Sequence, residues 1–190
     1  MSAFSNARWV GTIQATRVGV QLLSLLVLSR LLSPADFGLI AMVFTITNFA
    51  TLVRDLGTGA AIVQKAVLDP KTTLTAHWSN CFIGLSLGLL LIAGSWPAAW
   101  FFQAPTVQPL LQLLALCFPI LGSTTVHQAL LERESRFALL ARIEIIAVVT
   151  GFIVAVTTAV LGFGAYSFVL QSLTVAIVSA VQLWMVSELQ

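Results

Sequence analysis

The stretch that decides the fold is residues 142–186, RIEIIAVVTGFIVAVTTAVLGFGAYSFVLQSLTVAIVSAVQLWMV. Two long apolar runs flank a glycine-rich turn at residues 162–164. A helix of about 20 apolar residues crosses the hydrocarbon core of a bilayer. The stretch therefore predicts two membrane-spanning helices. The alternative is a re-entrant hairpin with its turn buried, which we favour less because each run is long enough to cross alone.

The same apolar character extends along the whole chain. Of its 190 residues, 58% are hydrophobic and 8% are charged, whereas charged residues make up about a quarter of an ordinary soluble domain. This composition excludes a water-soluble enzyme, a disordered chain and a nucleic-acid-binding protein. We expect an all-α polytopic membrane protein in which residues 1–190 form one six-helix unit. The predicted spans are residues 10–32, 37–63, 78–96, 109–131, 142–161 and 166–186.

Prolines and glycines set the predicted ends of these spans. Ser33 precedes a proline and so disfavours helix, which closes the first span. Pro97 is expected to end the third span and Pro119 to bend the fourth. The glycines at residues 57–59 predict a break in the second span. We interpret the first span as retained rather than as a signal peptide, since Arg17 interrupts its apolar run.

The basic residues predict the orientation in the membrane, because lysine and arginine accumulate in cytoplasmic loops. With the N-terminus inside, eight of the nine basic residues lie at the cytoplasmic side: Arg8, Arg17, Arg54, Lys65, Lys71, Arg133, Arg136 and Arg142. Only Arg30 lies outside. In this topology Trp9, Trp78 and Trp184 fall at the inner interface, and Trp96 and Trp100 at the outer one. We therefore expect a cytoplasmic N-terminus.

Two of the spans carry polar faces. On a helical wheel the first span groups Gln14, Arg17, Gln21 and Ser24, and the second groups Thr47, Asn48, Thr51, Arg54, Asp55 and Thr58. A polar stripe is expensive against lipid, so these faces should meet protein or water. From the residues alone, we favour for both arginines an interfacial position with the head group reaching water, Arg54 being paired with its neighbour Asp55. The alternative is that they line a water-filled cavity.

Small residues in two other spans favour close helix packing. Gly84 and Gly88 form a GxxxG step, and positions 147, 151, 155 and 159 hold alanine or glycine. In the last span Gln171, Ser179 and Gln182 form a modest polar face, for which we expect hydrogen bonds between helices rather than ligand contacts.

Catalytic and metal-binding motifs are scarce in this sequence. His77 and His127 are expected near the inner surface, and an intramembrane enzyme that uses His127 with Glu132 is a hypothesis without a recognised motif. We therefore expect no enzyme activity, no cofactor and no metal. Cys81 and Cys117 are predicted to be buried thiols rather than a disulfide.

Five phrases, in order, resemble a known family: RLLSPADFGLIAM (30–42), LVRDLGTGAAIVQ (52–64), FFQAPTV (101–107), LERESRFALLARIE (131–144) and LGFGAYSFVLQ (161–171). They are similar to the oligosaccharide flippase, or polysaccharide biosynthesis protein, family of the multidrug/oligosaccharidyl-lipid/polysaccharide exporter superfamily. The resemblance covers essentially the whole chain.

The resemblance implies a bacterial inner-membrane protein that moves polyprenyl-pyrophosphate-linked oligosaccharide for O-antigen, capsule or exopolysaccharide synthesis. It also implies alternating access between two six-helix lobes. This chain resembles the N-terminal lobe only, so we expect a fragment or a half-transporter. The expected partners are the lipid bilayer and a second lobe, without which this chain should not flip lipid.

The resemblance also implies a site, because cationic residues on the first two spans line the cavity in related flippases. Arg17 and Arg54 are the matching positions, and Gln14, Gln21, Asn48 and Thr51 are the further cavity candidates. Asp55 is expected to orient Arg54 or to offer a site for a coupling ion. The alternatives are a non-transporting scaffold subunit of a polysaccharide assembly complex and a drug or cation exporter lobe of the same superfamily.

Overall fold

The computed structural model describes residues 3–55 and 70–186. In these ranges the chain forms helices joined by short turns, with no strand. The helices are α1 (Ala3–Leu31), α2 (Pro34–Asp55), α3 (Pro70–Phe101), α4 (Val107–Ala115), α5 (Cys117–Arg133), α6 (Phe137–Val160) and α7 (Tyr166–Val186).

Five segments of the described ranges are long and apolar enough to cross a membrane: Pro34–Leu52, Thr73–Phe101, Val107–Arg133, Phe137–Val160 and Tyr166–Val186. The all-α polytopic membrane fold is thereby confirmed. α1 covers the first predicted span and has 29 residues, about 43 Å of helix at 1.5 Å per residue. Its assignment as a sixth span stays a prediction.

The predicted ends of the third span are wrong, because α3 begins at Pro70 and continues through Pro97. A proline removes one backbone N–H donor, and membrane helices tolerate this because neighbouring groups can satisfy the freed carbonyl. The α2 helix also begins earlier than predicted, at Pro34, and α6 begins at Phe137 rather than at residue 142. The predicted break at 57–59 and the end of the second span at 63 lie outside the described residues.

The helix of the predicted fourth span is interrupted close to Pro119, where a bend was predicted. α4 ends at Ala115 and α5 begins at Cys117. The ring of a proline clashes with the carbonyl group four residues earlier, which is that of Ala115. The chain passes this point through a tight turn in which the Leu116 N–H donates to the Leu113 carbonyl oxygen over 3.2 Å.

The predicted small-residue contacts are confirmed. A Cβ atom on Gly84 would lie 2.5 Å from the Phe118 carbonyl oxygen, and one on Gly122 would lie 2.6 Å from that of Asn80. The α3 and α5 backbones therefore touch directly. Ala147, Gly151, Ala155 and Ala159 are all buried along α6, and a Cβ on Gly151 would meet Val175 of α7 at 2.5 Å.

Asp36 joins two turns at one end of the bundle. One of its carboxylate oxygens accepts hydrogen bonds from the Ser33 N–H (3.0 Å) and hydroxyl (2.7 Å), which caps α2. The other accepts the Ala165 N–H at 3.0 Å. The α1–α2 turn is thereby held beside the α6–α7 turn, and Phe37 packs edge-on against Phe168 at a ring separation of 5.9 Å.

Candidate functional site

A cavity of about 1220 Å³ lies between α1, α2, α5, α6 and α7, and α4 contributes Leu114 to its lining. All six of the polar residues predicted for a cavity line it: Gln14, Arg17, Gln21, Asn48, Thr51 and Arg54. The structure therefore brings the polar faces of α1 and α2 to one space. The side chain of Asp55 lies outside the described part of the structure, so its role stays a prediction.

The lining changes character along the cavity. Near the Asp36 end, α2 contributes Phe37, Ile40 and Phe44, whereas one to three turns further on it contributes Thr47, Asn48, Thr51 and Arg54. α1 runs in the opposite direction and changes from Leu25 to Gln21, Arg17 and Gln14. The cavity thus has an apolar half at the Asp36 end and a charged half at the other.

Arg17 forms an ion pair across the charged half. Its Nη2 lies 2.9 Å and its Nε 3.0 Å from Oε1 of Glu144 on α6. The Arg17 side chain keeps 58% of its surface exposed and Glu144 keeps 20%. The pair links α1 to α6 while more than half of the Arg17 side-chain surface stays exposed.

Glu144 is a site residue that the sequence reasoning missed. It lies inside the predicted fifth span, and an ionisable residue within a span is by itself a pointer to function. That signal could have found it, but the two residues of the pair are 127 positions apart in sequence. Only the packing of α1 against α6 shows that they meet.

The α5 wall of the cavity was also missed. Thr124, Gln128 and Glu132 recur every fourth residue and all line the cavity. The Gln128 amide donates to Oε1 of Glu132 over 2.8 Å. A four-residue spacing of polar groups is the same signal that identified the polar faces of α1 and α2.

The structure separates His127 from Glu132. His127 is buried, and its ring lies 5.5 Å from the ring of His77 on α3, whereas Glu132 faces the cavity. A catalytic pair of these two residues is therefore not formed. The described residues contain no group of three or more histidine, cysteine or acidic side chains that could hold a metal ion.

The two cysteines are free thiols, of which Cys117 is buried. Cys81 is half-buried rather than buried as predicted. Its Sγ lies 3.6 Å from Nε2 of His77, one helical turn earlier on α3.

Gln171 makes the predicted hydrogen bond between helices. Its Nε2 donates to the hydroxyl of the buried Ser24 on α1 over 3.1 Å. Its Oε1 is buried without a hydrogen-bond partner among the described residues. Gln171 also lines the cavity. The polar face of α7, which was predicted only to form hydrogen bonds between helices, therefore also contributes to the cavity wall.

The amide side chains of the cavity differ from its threonines. The hydroxyl groups of Thr47 and Thr51 donate to backbone carbonyls of their own helix, at 3.1 and 2.9 Å. The amides of Gln14, Gln21 and Asn48 have no such partner within residues 3–55 and 70–186 and are exposed. These three amides are therefore the groups best placed to donate hydrogen bonds to a ligand.

The fold and the cavity together define a class, the multi-pass helical membrane proteins with a partly polar cavity between their helices. The family model for polysaccharide biosynthesis proteins matches residues 27–190. The chain belongs to this family.

Curated relatives agree with this assignment. The chain is 29% identical over 183 residues to the succinoglycan biosynthesis transport protein ExoT of Rhizobium meliloti (strain 1021), a match that covers 96% of the chain. It is 26% identical to the lipopolysaccharide biosynthesis protein WzxC of Escherichia coli (strain K12), over 82% of the chain. It is 27% identical to the teichuronic acid biosynthesis protein TuaB of Bacillus subtilis (strain 168), over 78% of the chain.

The chain spans about a third of the length of these relatives, with matches that cover 37%, 32% and 31% of their respective lengths. The relatives are therefore more than twice as long as this chain, which is longer than two lobes of this size would require. No solved structure matches the chain significantly.

Proposed function

We propose that this chain forms one lobe of a transporter that moves a lipid-linked oligosaccharide across the bacterial inner membrane for polysaccharide assembly. The ligand class is a polyprenyl chain joined to sugars through a diphosphate. A second lobe, from the same complete protein or from a partner chain, would close the cavity on its open side. The two lobes would expose the cavity to each membrane face in turn.

The observation that carries this proposal is the division of the cavity into a charged half and an apolar half. A diphosphate needs cationic donors, and Arg17 and Arg54 both line the charged half. A guanidinium presents two parallel N–H groups to a phosphate and stays protonated in a protein. The apolar half, lined by Phe37, Phe44 and Phe168, suits the part of the lipid next to the diphosphate.

The predicted orientation adds support from the sequence. The charged half lies toward the α5–α6 turn, which holds Arg133 and Arg136 and is predicted to be cytoplasmic. An anionic ligand from the cytoplasmic leaflet would therefore reach Arg17 and Arg54 first. The printed names of the relatives, which include a transport protein for succinoglycan biosynthesis, support polysaccharide export as the process.

The first prediction tests Arg54 in the complete protein. We expect Arg54→Ala to reduce surface polysaccharide by about tenfold or more, because loss of one charge-assisted contact to a phosphate costs about 1.5–3 kcal/mol. The measurement is surface polysaccharide in a strain that depends on the plasmid-borne gene, with the membrane level of the protein determined by immunoblot.

Arg142→Ala is the matched control, because Arg142 is an exposed arginine at the same end of the bundle and is not part of the cavity lining. Its export should stay within about twofold of the unaltered protein, as for a surface substitution. Unaltered export by Arg54→Ala at normal protein levels would refute the role of the cavity. Equal losses in both variants would point to general surface charge instead.

A further inference from the structure

The ion pair of Arg17 raises a question that the proposed function leaves open. Among the described residues, the lining side chains that carry a formal charge are Arg17, Arg54, Glu132 and Glu144. Their formal charges cancel. A cavity that only had to capture an anion would be expected to keep its cations uncompensated, because each nearby carboxylate weakens the attraction for a phosphate.

The two carboxylates differ in what they contact. Glu132 accepts a hydrogen bond from the neutral amide of Gln128, whereas Glu144 accepts two contacts from the Arg17 guanidinium through a single oxygen. Glu144 thus occupies the donors that a ligand phosphate would use. A phosphate that binds Arg17 through Nε and Nη2 must displace the Glu144 carboxylate, since both anions need the same edge of the guanidinium.

From this geometry we infer that Glu144 is an internal competitor for Arg17, which holds the guanidinium in the empty cavity and expels the ligand phosphate at the end of the transport cycle. The inference rests on the proposed function, whose ligand class it adopts. Glu144 is a positioning residue: it acts through Arg17 and has no need to touch the ligand. The carboxylate weakens binding and in return allows release, because it replaces the ligand as the counter-anion.

The surroundings of Glu144 fit this role. On α1 it faces Arg17, and the ionisable groups of α5 at this end are Glu132 and Arg133. On α7 the residues from Ser167 to Val186 include no ionisable side chain. Arg142 lies two positions earlier on α6 and is exposed. Arg17 is therefore the partner that holds Glu144, and Glu144 keeps 20% exposure, so that it can swing away from the pair when a phosphate arrives.

The test is Glu144→Gln in the complete protein, with Glu134→Gln as the matched control, because Glu134 is an exposed carboxylate at the same end of the bundle that is not part of the cavity lining. The probe is a short-chain prenyl diphosphoryl sugar, whose binding is measured in detergent and whose export is followed in proteoliposomes. We expect Glu144→Gln to bind the probe about fivefold more tightly, since a partly exposed ion pair contributes about 1 kcal/mol. Export per protein should fall, because the ligand leaves more slowly. Glu134→Gln should change affinity by less than twofold, as for a surface substitution.

Damage to the fold would weaken probe binding, whereas the competitor role predicts tighter binding by Glu144→Gln. The direction of the change in affinity therefore distinguishes the competitor role from a structural one. The gain should also vanish when the double variant Arg17→Gln/Glu144→Gln is compared with Arg17→Gln, because these variants have no guanidinium for which Glu144 and the phosphate could compete. Unchanged or weaker binding by Glu144→Gln, with normal binding by the unaltered protein, would overturn the inference and leave the proposed function intact. Failure of the unaltered protein to bind the probe would instead refute the proposed ligand class.

Discussion

Asp36 shows how one residue determines the position of two turns. Its carboxylate caps α2 through Ser33 and accepts the Ala165 N–H of the α6–α7 turn. Gly164, beside that N–H, has φ +54°, and a Cβ there would lie 2.7 Å from Oδ1 of Asp36. Glycine is needed at this position both for the left-handed backbone and for the close approach of the carboxylate.

At this scale we predict that Asp36→Ala lowers the free energy of unfolding by about 1–3 kcal/mol, because it removes a helix cap and leaves the Ala165 N–H without its acceptor. The measurement is thermal unfolding in detergent. Glu134→Ala is the control, since Glu134 is also in a turn but only forms an exposed pair with Arg136 at 3.7 Å. A midpoint for Asp36→Ala equal to that of Glu134→Ala would show that the link between the turns contributes nothing.

At the scale of elements, the α3–α5 interface depends on glycine. The backbones approach until the Cα of Gly84 faces that of Gly122, with no room for a methyl group between them. In lipid there is no hydrophobic drive between helices, so association depends on such close packing. The exposed aromatic side chains of α3, which include Phe82, Trp96 and Trp100, lie on its other faces and are placed to meet lipid.

We therefore predict that Gly84→Ala destabilises the bundle by about 1–3 kcal/mol, as overpacking does in a filled interface. Gly94→Ala on the same helix is the control, because nothing lies within 4 Å of the added Cβ. There the substitution should be neutral or slightly stabilising, since alanine favours helix over glycine. Thermal unfolding of the two variants in one detergent compares them directly, and an equal response would contradict the close approach.

At the scale of the whole molecule, the orientation is open to a direct test. The distribution of basic residues predicts that the α3–α4 turn is outside and the α5–α6 turn inside. With Cys81 and Cys117 replaced by alanine, a membrane-impermeant thiol reagent applied to intact spheroplasts should label Thr106→Cys and leave Glu134→Cys unlabelled. Both positions are exposed in the bundle. Permeabilised cells should label both, and the reverse pattern in intact cells would invert the topology.

The sequence grouped the polar residues of α1 and α2 that line the cavity, but it missed most of the polar residues on the other walls. Arg17 and Arg54 stand out because a polar side chain within an apolar helix is costly, so its wheel position reports a protected face. Thr124 and Gln128 were missed, and Glu132 was considered only as a partner of His127, although the three share one helical face. Gln171 was assigned to packing, and the structure shows it both bonded to Ser24 and lining the cavity.

By itself, the sequence determined the membrane class, most helix positions and the small-residue contacts. Each of these follows from local composition and from a periodicity of 3.6 residues. The tertiary structure alone decided that these helices line a shared cavity with a charged and an apolar half, and that Glu144 meets Arg17. The physical reason is that helical periodicity shows which face of a helix is polar. Which helices face one another depends on the packing of the whole bundle.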